Sequence, residues 1–348
     1  MDPRIAVGDQ NRRESIEVRV GVCWPDPPGA NSDSAAGCSE WTYDEAFKRN
    51  LGLITREEQE RLRKARVAIA GLGGVGGSDL VTLARLGVGR FTIADPDVFE
   101  VVNTNRQYGV STSTVGQAKV EVMSRIVRDI NPQVQIRAFS EPLEAANANA
   151  FLEDADLFID ALEFFEIDVR RELFRLAASR GVYGITAGPV GFSAIWISFA
   201  PDGMSFDRYF DFSDDMDQVE KVVAFGVGVA PKRTQRTYMD LRYFDIVAHT
   251  GPSVCPACQI AAGAVASEAM KILLKKGRVR SAPYYFQFDP FLGRLAHGRL
   301  VGGNRHPIQR FKRWWLTRYL RKRIHPSDTV EQDSDPISGS IEKKRERE

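Results

Sequence analysis

Four cysteines in 348 residues are too few to found a disulfide framework, so a reducing, cytoplasmic setting is expected. No uninterrupted apolar run approaches the roughly 20 residues that a bilayer-spanning helix needs. The N-terminal stretch MDPRIAVGDQNRRE lacks the apolar core of a signal peptide. Acid is missing between Pro290 and Ser327, where Arg and Lys collect, so a net charge of +1 conceals a local bias. Apolar content of 43% and charged content of 27% are ordinary for a soluble globular chain. The length allows one large domain or two smaller ones.

What is present begins with an arm. Residues 1–40 carry PDPPGANSDSAAG, a mixture unsuited to packing, and are expected to be flexible. The segment from Trp41 to Arg66 predicts a helix, with Thr55 and Glu58 at capping-box spacing. RVAIAG (66–71) and FTIAD (91–95) read as buried strands, each followed by helical spacing in SDLVTLARLG and GQAKVEVMSRIVRDIN. QIRAFS, LFIDAL and VYGITAG add further strands. This alternation predicts an α/β chain with a Rossmann-like, doubly wound, mostly parallel sheet. FSAIWISFAP starts an antiparallel edge, continued by a hairpin of YYFQFDPF and GRLAHGRL. Residues 202–253 form a long polar segment, expected to be functional or disordered. A helix with a small-residue face comes next at 255–277, then a basic aromatic helix within 301–325 and a charged, disordered tail at 326–348.

GLGGVGG (71–77) holds G-x-G-x-x-G at Gly71, Gly73 and Gly76, with Gly74 between them, at a strand-to-helix junction. Glycines allow a tight turn and close approach to phosphate, and the helix N-terminus offers unpaired N–H groups. Asp95, ending the next strand, suits a ribose hydroxyl pair. These features fit NAD, FAD or ATP equally well. The residues beyond Asp95, a cluster of Asn103, Asn105, Arg106 and Gln107 and then Lys119, narrow the choice, and of these Asn103, Arg106 and Lys119 can fold over the mouth of the glycine loop. A guanidinium fork and a compact ammonium suit a triphosphate better than a pyrophosphate already cradled by backbone.

GLGGVG, then D-x-D closing in N-x-x-RQ, then VGQAK and INP, together resemble the ThiF, MoeB and HesA family of ubiquitin-activating-enzyme-like adenylyltransferases. The resemblance covers roughly residues 45–300, and NTNRQ with VGQAKVEVM is similar to the branch acting on threonylcarbamoyl-adenosine in tRNA. It implies that Gly71–Gly76 cradle ATP phosphates, that Asp95 holds the ribose, and that Asn103, Arg106 and Lys119 contact the triphosphate. It further implies that Arg49 enters the neighbouring subunit's site, making a homodimer obligatory. The family's magnesium-binding aspartate aligns with Glu163, three residues after Asp160. Glutamate is one methylene longer, so Mg²⁺ would need a shifted backbone or a bridging water.

Such a site suits adenylation. A carboxylate is already ionised at neutral pH and attacks the α-phosphorus in line, so the protein positions two anions and neutralises developing charge. Arg49, Arg106, Lys119 and Mg²⁺ would do this, whereas hydride transfer needs none of these cations. The acceptor is a carrier protein ending in Gly-Gly, a peptide C-terminus or a modified tRNA base. The rivals are an NAD-dependent oxidoreductase and a non-catalytic nucleotide-binding member.

Structural zinc is not expected: the C-x-x-C pairs of relatives are missing, and Cys255-Pro-Ala-Cys258 stands elsewhere as a single pair. Pro256 places both thiols at a helix N-terminus, which lowers a thiol pKa, so either Cys255 or Cys258 could accept the acyl group. The alternative is that both are small packing residues. In the basic helix, Ile308, Phe311, Trp315 and Tyr319 recur at helical spacing. Three readings stand for residues 308–324: a helix docked on the core, a contact with an anionic membrane surface, or an RNA phosphate contact.

Overall fold

The computed structural model describes residues 41–245 and 250–324, and the backbone alone at residues 241 and 322–324. The expected N-terminal arm and charged tail lie outside the described residues. The chain runs α1 (Tyr43–Phe47), α2 (Arg56–Lys64), β1 (Arg66–Ala70), α3 (Gly74–Arg85), β2 (Arg90–Ala94), α4 (Lys119–Ile130), β3 (Gln135–Phe139), α5 (Ala145–Phe151) and β4 (Leu157–Asp160). It continues through α6 (Ile167–Ser179), β5 (Tyr183–Val190), β6 (Ser193–Phe199), α7 (Phe206–Phe210), α8 (Gln218–Val229), α9 (Cys255–Leu274), β7 (Tyr284–Asp289), β8 (Arg294–Arg299) and α10 (Pro307–Ile324).

One eight-stranded sheet carries the order β3-β2-β1-β4-β5-β6-β7-β8. Neighbours from β3 to β5 are parallel, and β5 through β8 pair antiparallel, as expected for a Rossmann-like sheet with antiparallel edge strands. β1 is buried along its whole length, which explains its unbroken apolar run. Strand order reverses between β1 and β4. Loops leaving the carboxyl ends of both strands therefore open a crevice there, where ligands bind in such sheets.

Two expectations need correction. The stretch 41–66 is two short helices rather than one. A bridge between Leu51 and Ile54 and a φ of +102° at Gly52 turn the chain before Thr55 caps α2. That cap is the expected box: Glu58 N–H donates to Thr55 Oγ1 at 3.2 Å, and Thr55 N–H donates to Glu58 Oε2 at 2.8 Å. The polar segment 202–253 is also more ordered than its composition suggests. Several of its apolar residues point inward: Phe206, Tyr209, Phe210, Val222 and Phe225 are buried, and they shape α7 and α8.

α9 is 20 residues long and apolar enough to cross a membrane by length and composition. Here it serves as a core helix, with Ala257, Ala261, Ala262, Val265, Ala266 and Ala269 buried. The small side chains let it approach α3, β5 and β6 closely.

Candidate nucleotide-binding site

Three strand ends build the site. After β1, the chain turns at Gly71 with φ +89°, where a Cβ would lie 2.3 Å from Ala161 O in the loop leaving β4. A Cβ at Gly76 would lie 2.0 Å from Gly71 O. Both glycines are therefore required by the close approach of backbone to backbone. Gly73 precedes α3 as its N-cap and offers no side-chain hydrogen bond, so the first N–H groups of the helix are left available to an anion.

After β2, Asp95 is buried and its carboxylate knits the loops together. Oδ2 accepts Leu72 N–H at 2.7 Å and Oδ1 accepts Asp97 N–H at 3.0 Å. Burial raises its pKa, while Lys119 and these two N–H donors pull it back. Lys119, itself buried, places Nζ 3.4 Å from Asp95 Oδ1 and 2.7 Å from Asp97 Oδ2. Asp97 was not singled out in the sequence, although the D-x-D spacing contains it.

Asn103 and Arg106 come from the next turn. The Asn103 carboxamide oxygen accepts Glu100 N–H at 3.0 Å, which makes it a local turn-former in this structure. Arg106 is half-buried and donates to Val102 O at 3.0 Å and Asn105 Oδ1 at 3.1 Å. Its Cγ lies 3.5 Å from where a Gly74 Cβ would stand, so its stem crosses the glycine loop. Asn105 donates to Ser253 O at 2.8 Å, tying the cluster to the start of α9. Gln107 is buried, and its Oε1 has no hydrogen-bond partner among the described residues.

After β4 come Asp160 and Glu163. Asp160 is fully engaged: Oδ2 accepts Arg170 Nε at 2.7 Å and Thr186 Oγ1 at 2.6 Å, and Oδ1 accepts Leu162 N–H at 3.3 Å. Glu163 is exposed. Partial desolvation raises its pKa, followed by repulsion from Asp97 and, more weakly, Asp95, with Lys119 opposing. No group of three metal-ligating side chains assembles among the described residues. The donor set thus fits a cation shared between one carboxylate and phosphates, rather than a cage made of protein alone.

The remaining candidates divide. Cys258 is fully buried, and its Sγ lies 2.7 Å from the position of a Gly74 Cβ, directly behind the glycine loop. Burial pushes its thiol up to about 11, outweighing the helix N-terminus. Cys255 is exposed at the start of α9. Arg49 stands apart from the others. Its neighbour Asn50 donates to Leu86 O at 3.1 Å, at the far end of the 12-residue α3. At 1.5 Å per residue that is about 18 Å from the glycine loop of its own chain.

Asp79, also missed in the sequence, lies on the inner face of α3 with neither carboxylate oxygen hydrogen-bonded among the described residues. Burial drives its pKa well above the ordinary value. The folded chain therefore keeps a proton that the unfolded chain releases near pH ~3.9. Stability should fall as pH rises from there through the raised folded pKa, because the unfolded state then binds fewer protons. Asp79→Asn should flatten this slope and raise the melting temperature at mildly alkaline pH. A variant with the wild-type slope would show that Asp79 is not the group responsible.

The ThiF family pattern matches residues 47–306. The tRNA threonylcarbamoyladenosine dehydratase of Haemophilus influenzae is 32% identical over 150 residues, 43% of this chain and 57% of that protein. The enzyme of that name in Bacillus subtilis is 44% identical over 92 residues, 26% of this chain and 36% of the relative. The Escherichia coli molybdopterin-synthase adenylyltransferase is 34% identical over 139 residues, 39% and 55% of the two chains. The match thus spans less than two thirds of each relative's length. Among solved structures, E. coli MccB with ATP superimposes with a TM-score of 0.58 at 19% identity, covering 76% of this chain and 72% of that one. A selenomethionine form of PaaA gives 0.57 at 19% identity, covering 78% of each chain. At that identity the likeness concerns the fold. The family match, over most of the chain and all three strand-end loops, shows that this protein belongs to the ThiF family.

Proposed function

We propose that the chain is an ATP-dependent adenylyltransferase that activates a carboxylate as an acyl-adenylate. The observation that carries this reading is the convergence of Arg106 and Lys119 on a glycine loop at the β1/β4 crevice. A substrate carboxylate oxygen attacks the α-phosphorus, the bond to the bridging oxygen breaks, and pyrophosphate leaves. Lys119 already balances two carboxylates, and an arriving polyphosphate exchanges one anionic partner for another. Arg106 has two neutral acceptors and is free to turn its fork to phosphate. Magnesium would be held by Glu163 with the phosphates, where it would neutralise charge on the leaving group.

Two acceptor classes suit this reading: a sulfur-carrier or ubiquitin-like C-terminus, and a modified base in tRNA, the latter in line with the names of the two dehydratase relatives. Cys255, exposed at the start of α9, would be the sulfur to take an acyl group onward from the adenylate with release of AMP, and Cys258 is its buried neighbour. A homodimer would support the same chemistry, because Arg49, far from its own chain's glycine loop, would then meet another chain's site. Val101 and Val102, 73% and 69% exposed on the turn before Asn103, give a partner an apolar rim beside that site.

The deciding experiment is ATP–pyrophosphate exchange with carrier-protein, peptide and tRNA carboxylate donors, with intact-mass detection of any thioester. Exchange with one donor class establishes the reaction. NAD binding in preference to ATP, with no exchange for any donor, would overturn it in favour of an oxidoreductase or a non-catalytic nucleotide binder.

Glu163 supplies a sharper check. Glu163→Gln should weaken ATP binding in magnesium by about tenfold or more, the usual effect of losing a carboxylate at a metal, and leave metal-free ATP binding unchanged. Because Glu163 must be ionised to bind metal and its pKa is raised, magnesium-dependent binding should fade at a higher pH than an ordinary glutamate, near ~4.3, would dictate. Equal magnesium dependence in wild type and Glu163→Gln would remove Glu163 from the metal site.

A further inference from the structure

α10 docks the wrong way round. An amphipathic helix packing on a core buries its apolar stripe and shows water its charges. α10 instead is pinned to α8 and its flanking loops by polar groups. Gln309 is buried and donates to Val227 O at 3.0 Å, Lys312 to Pro231 O at 2.8 Å, and Arg313 to Asp211 Oδ2 at 2.7 Å. Further along, Arg321 pairs with Asp217 and, at 3.1 Å, with Glu220.

Four apolar side chains are left in solvent, while Leu316, Tyr319 and Leu320 are half-buried. Ile308 is 60% exposed, Phe311 63%, Trp314 59% and Trp315 39%. Helical spacing places these four on one side of the cylinder, and Arg318 shares that side. Arg310 flanks it, and both arginines are exposed without an ion pair among the described residues. Besides Asp217, three more carboxylates lie along the groove beside the helix. Asp211 is paired with Arg305 and Arg313, Glu220 is paired with Arg321, and Asp215 bonds Ser213. No acid occurs on the helix itself.

We propose that this outward face of α10 is a docking surface for an anionic lipid membrane. Indole and phenyl rings settle at the headgroup boundary, and arginines beside them meet lipid phosphates and carboxylates. Charge argues against a second copy as occupant, because two such faces would oppose cation to cation. RNA would use the rings for base stacking and the arginines for phosphate but leave Pro307 and Ile308 uncovered, whereas a lipid boundary buries them together with the rings.

Full-length protein is floated with phosphatidylcholine vesicles with and without phosphatidylserine, at low and high salt, while tryptophan emission is followed. Binding to the anionic vesicles is expected, with a blue shift, and little to phosphatidylcholine alone. Phe311→Ser/Trp314→Ser should lose at least about tenfold in affinity, and Arg310→Gln/Arg318→Gln roughly fivefold per charge removed. Melting temperature and ATP binding serve as controls for folding, since none of these residues lies in the nucleotide site. Protein that stays with the soluble fraction overturns the proposal, as does flotation that survives Phe311→Ser/Trp314→Ser. Salt-sensitive tRNA binding lost in the aromatic variant would assign the face to RNA. A concentration-dependent dimer lost in that variant would assign it to a second copy.

Discussion

Arg106→Ala and Lys119→Ala are each expected to abolish ATP–pyrophosphate exchange, but with different effects on folding. Losing one charge-assisted phosphate contact removes roughly 1.5–3 kcal/mol of ground-state binding, or about ten- to a hundredfold in affinity. The reaction loses more, because charge on the departing pyrophosphate is highest in the transition state. Arg106 is half-buried and bonds only to Val102 O and the Asn105 side chain, both able to turn to water, so Arg106→Ala should melt with the wild type. Lys119 is a buried partner of buried Asp95. Without its ammonium, the desolvated Asp95 carboxyl is left with the N–H donors of Leu72 and Asp97 alone, and its pKa should climb further. Lys119→Ala should therefore also be less stable at neutral pH than at mildly acidic pH, where Asp95 is protonated. Calorimetric ATP titration and thermal melts of both variants across pH read these effects separately. Exchange that persists in both variants would sink the adenylation assignment. A Lys119→Ala melt that tracks wild type at every pH would mean that Lys119 does not hold Asp95.

The difference between these two cations was not legible in the sequence, and the reason is general to this fold. Strands β1, β2 and β4 announce themselves because burial on both faces demands consecutive apolar residues, a local pattern. Gly71 and Gly76 are equally local, since the turn they make closes within a few residues. Arg106 could be placed near the loop because it follows a strand end within about a dozen residues, and Lys119 because the family resemblance implies it. Which carboxylates Lys119 would meet could not. Lys119 reaches Asp97 across 22 residues, and Cys258 reaches Gly74 from the far side of the chain. The polar stretch around α7 and α8 misled for a related reason. Its apolar residues do fall at helical spacing, Phe206 with Tyr209 and Phe210, and Val222 with Phe225, but over runs too short to stand out among the polar residues around them. Phe206 stacks on Phe174 at 4.2 Å and Phe210 packs 5.1 Å from Phe225. Tertiary packing, more than local pattern, makes those helices.

Asp160 shows the same limit and leads to the largest stability effect. At the sequence level it stood beside Glu163 as a second carboxylate after β4. In the fold it is 1% exposed and faces an Arg170 that is 2% exposed. Arg170 does more than neutralise it. Nη2 donates to Leu162 O at 2.8 Å and Glu163 O at 3.0 Å, and the guanidinium lies 4.4 Å from the Phe225 ring centre. One side chain thus fixes the backbone of the loop that presents Glu163. Arg170→Met is expected to cost about 3–5 kcal/mol, because it strands a buried carboxylate and orphans two carbonyls. That is a large share of the roughly 5–15 kcal/mol that keeps a domain folded. Replacing the pair together, as Arg170→Met/Asp160→Leu, should restore much of the loss, since an apolar pair of similar volume has no charge to desolvate. It should not restore magnesium-dependent ATP binding, because nothing then holds the carbonyls of Leu162 and Glu163. Chemical denaturation and magnesium titration of the single and double variants separate the two roles. A double variant that recovers both stability and magnesium dependence would reduce the Arg170–Asp160 pair to packing. Recovery of stability alone would show that this ion pair is kept for the loop it aims at the phosphates.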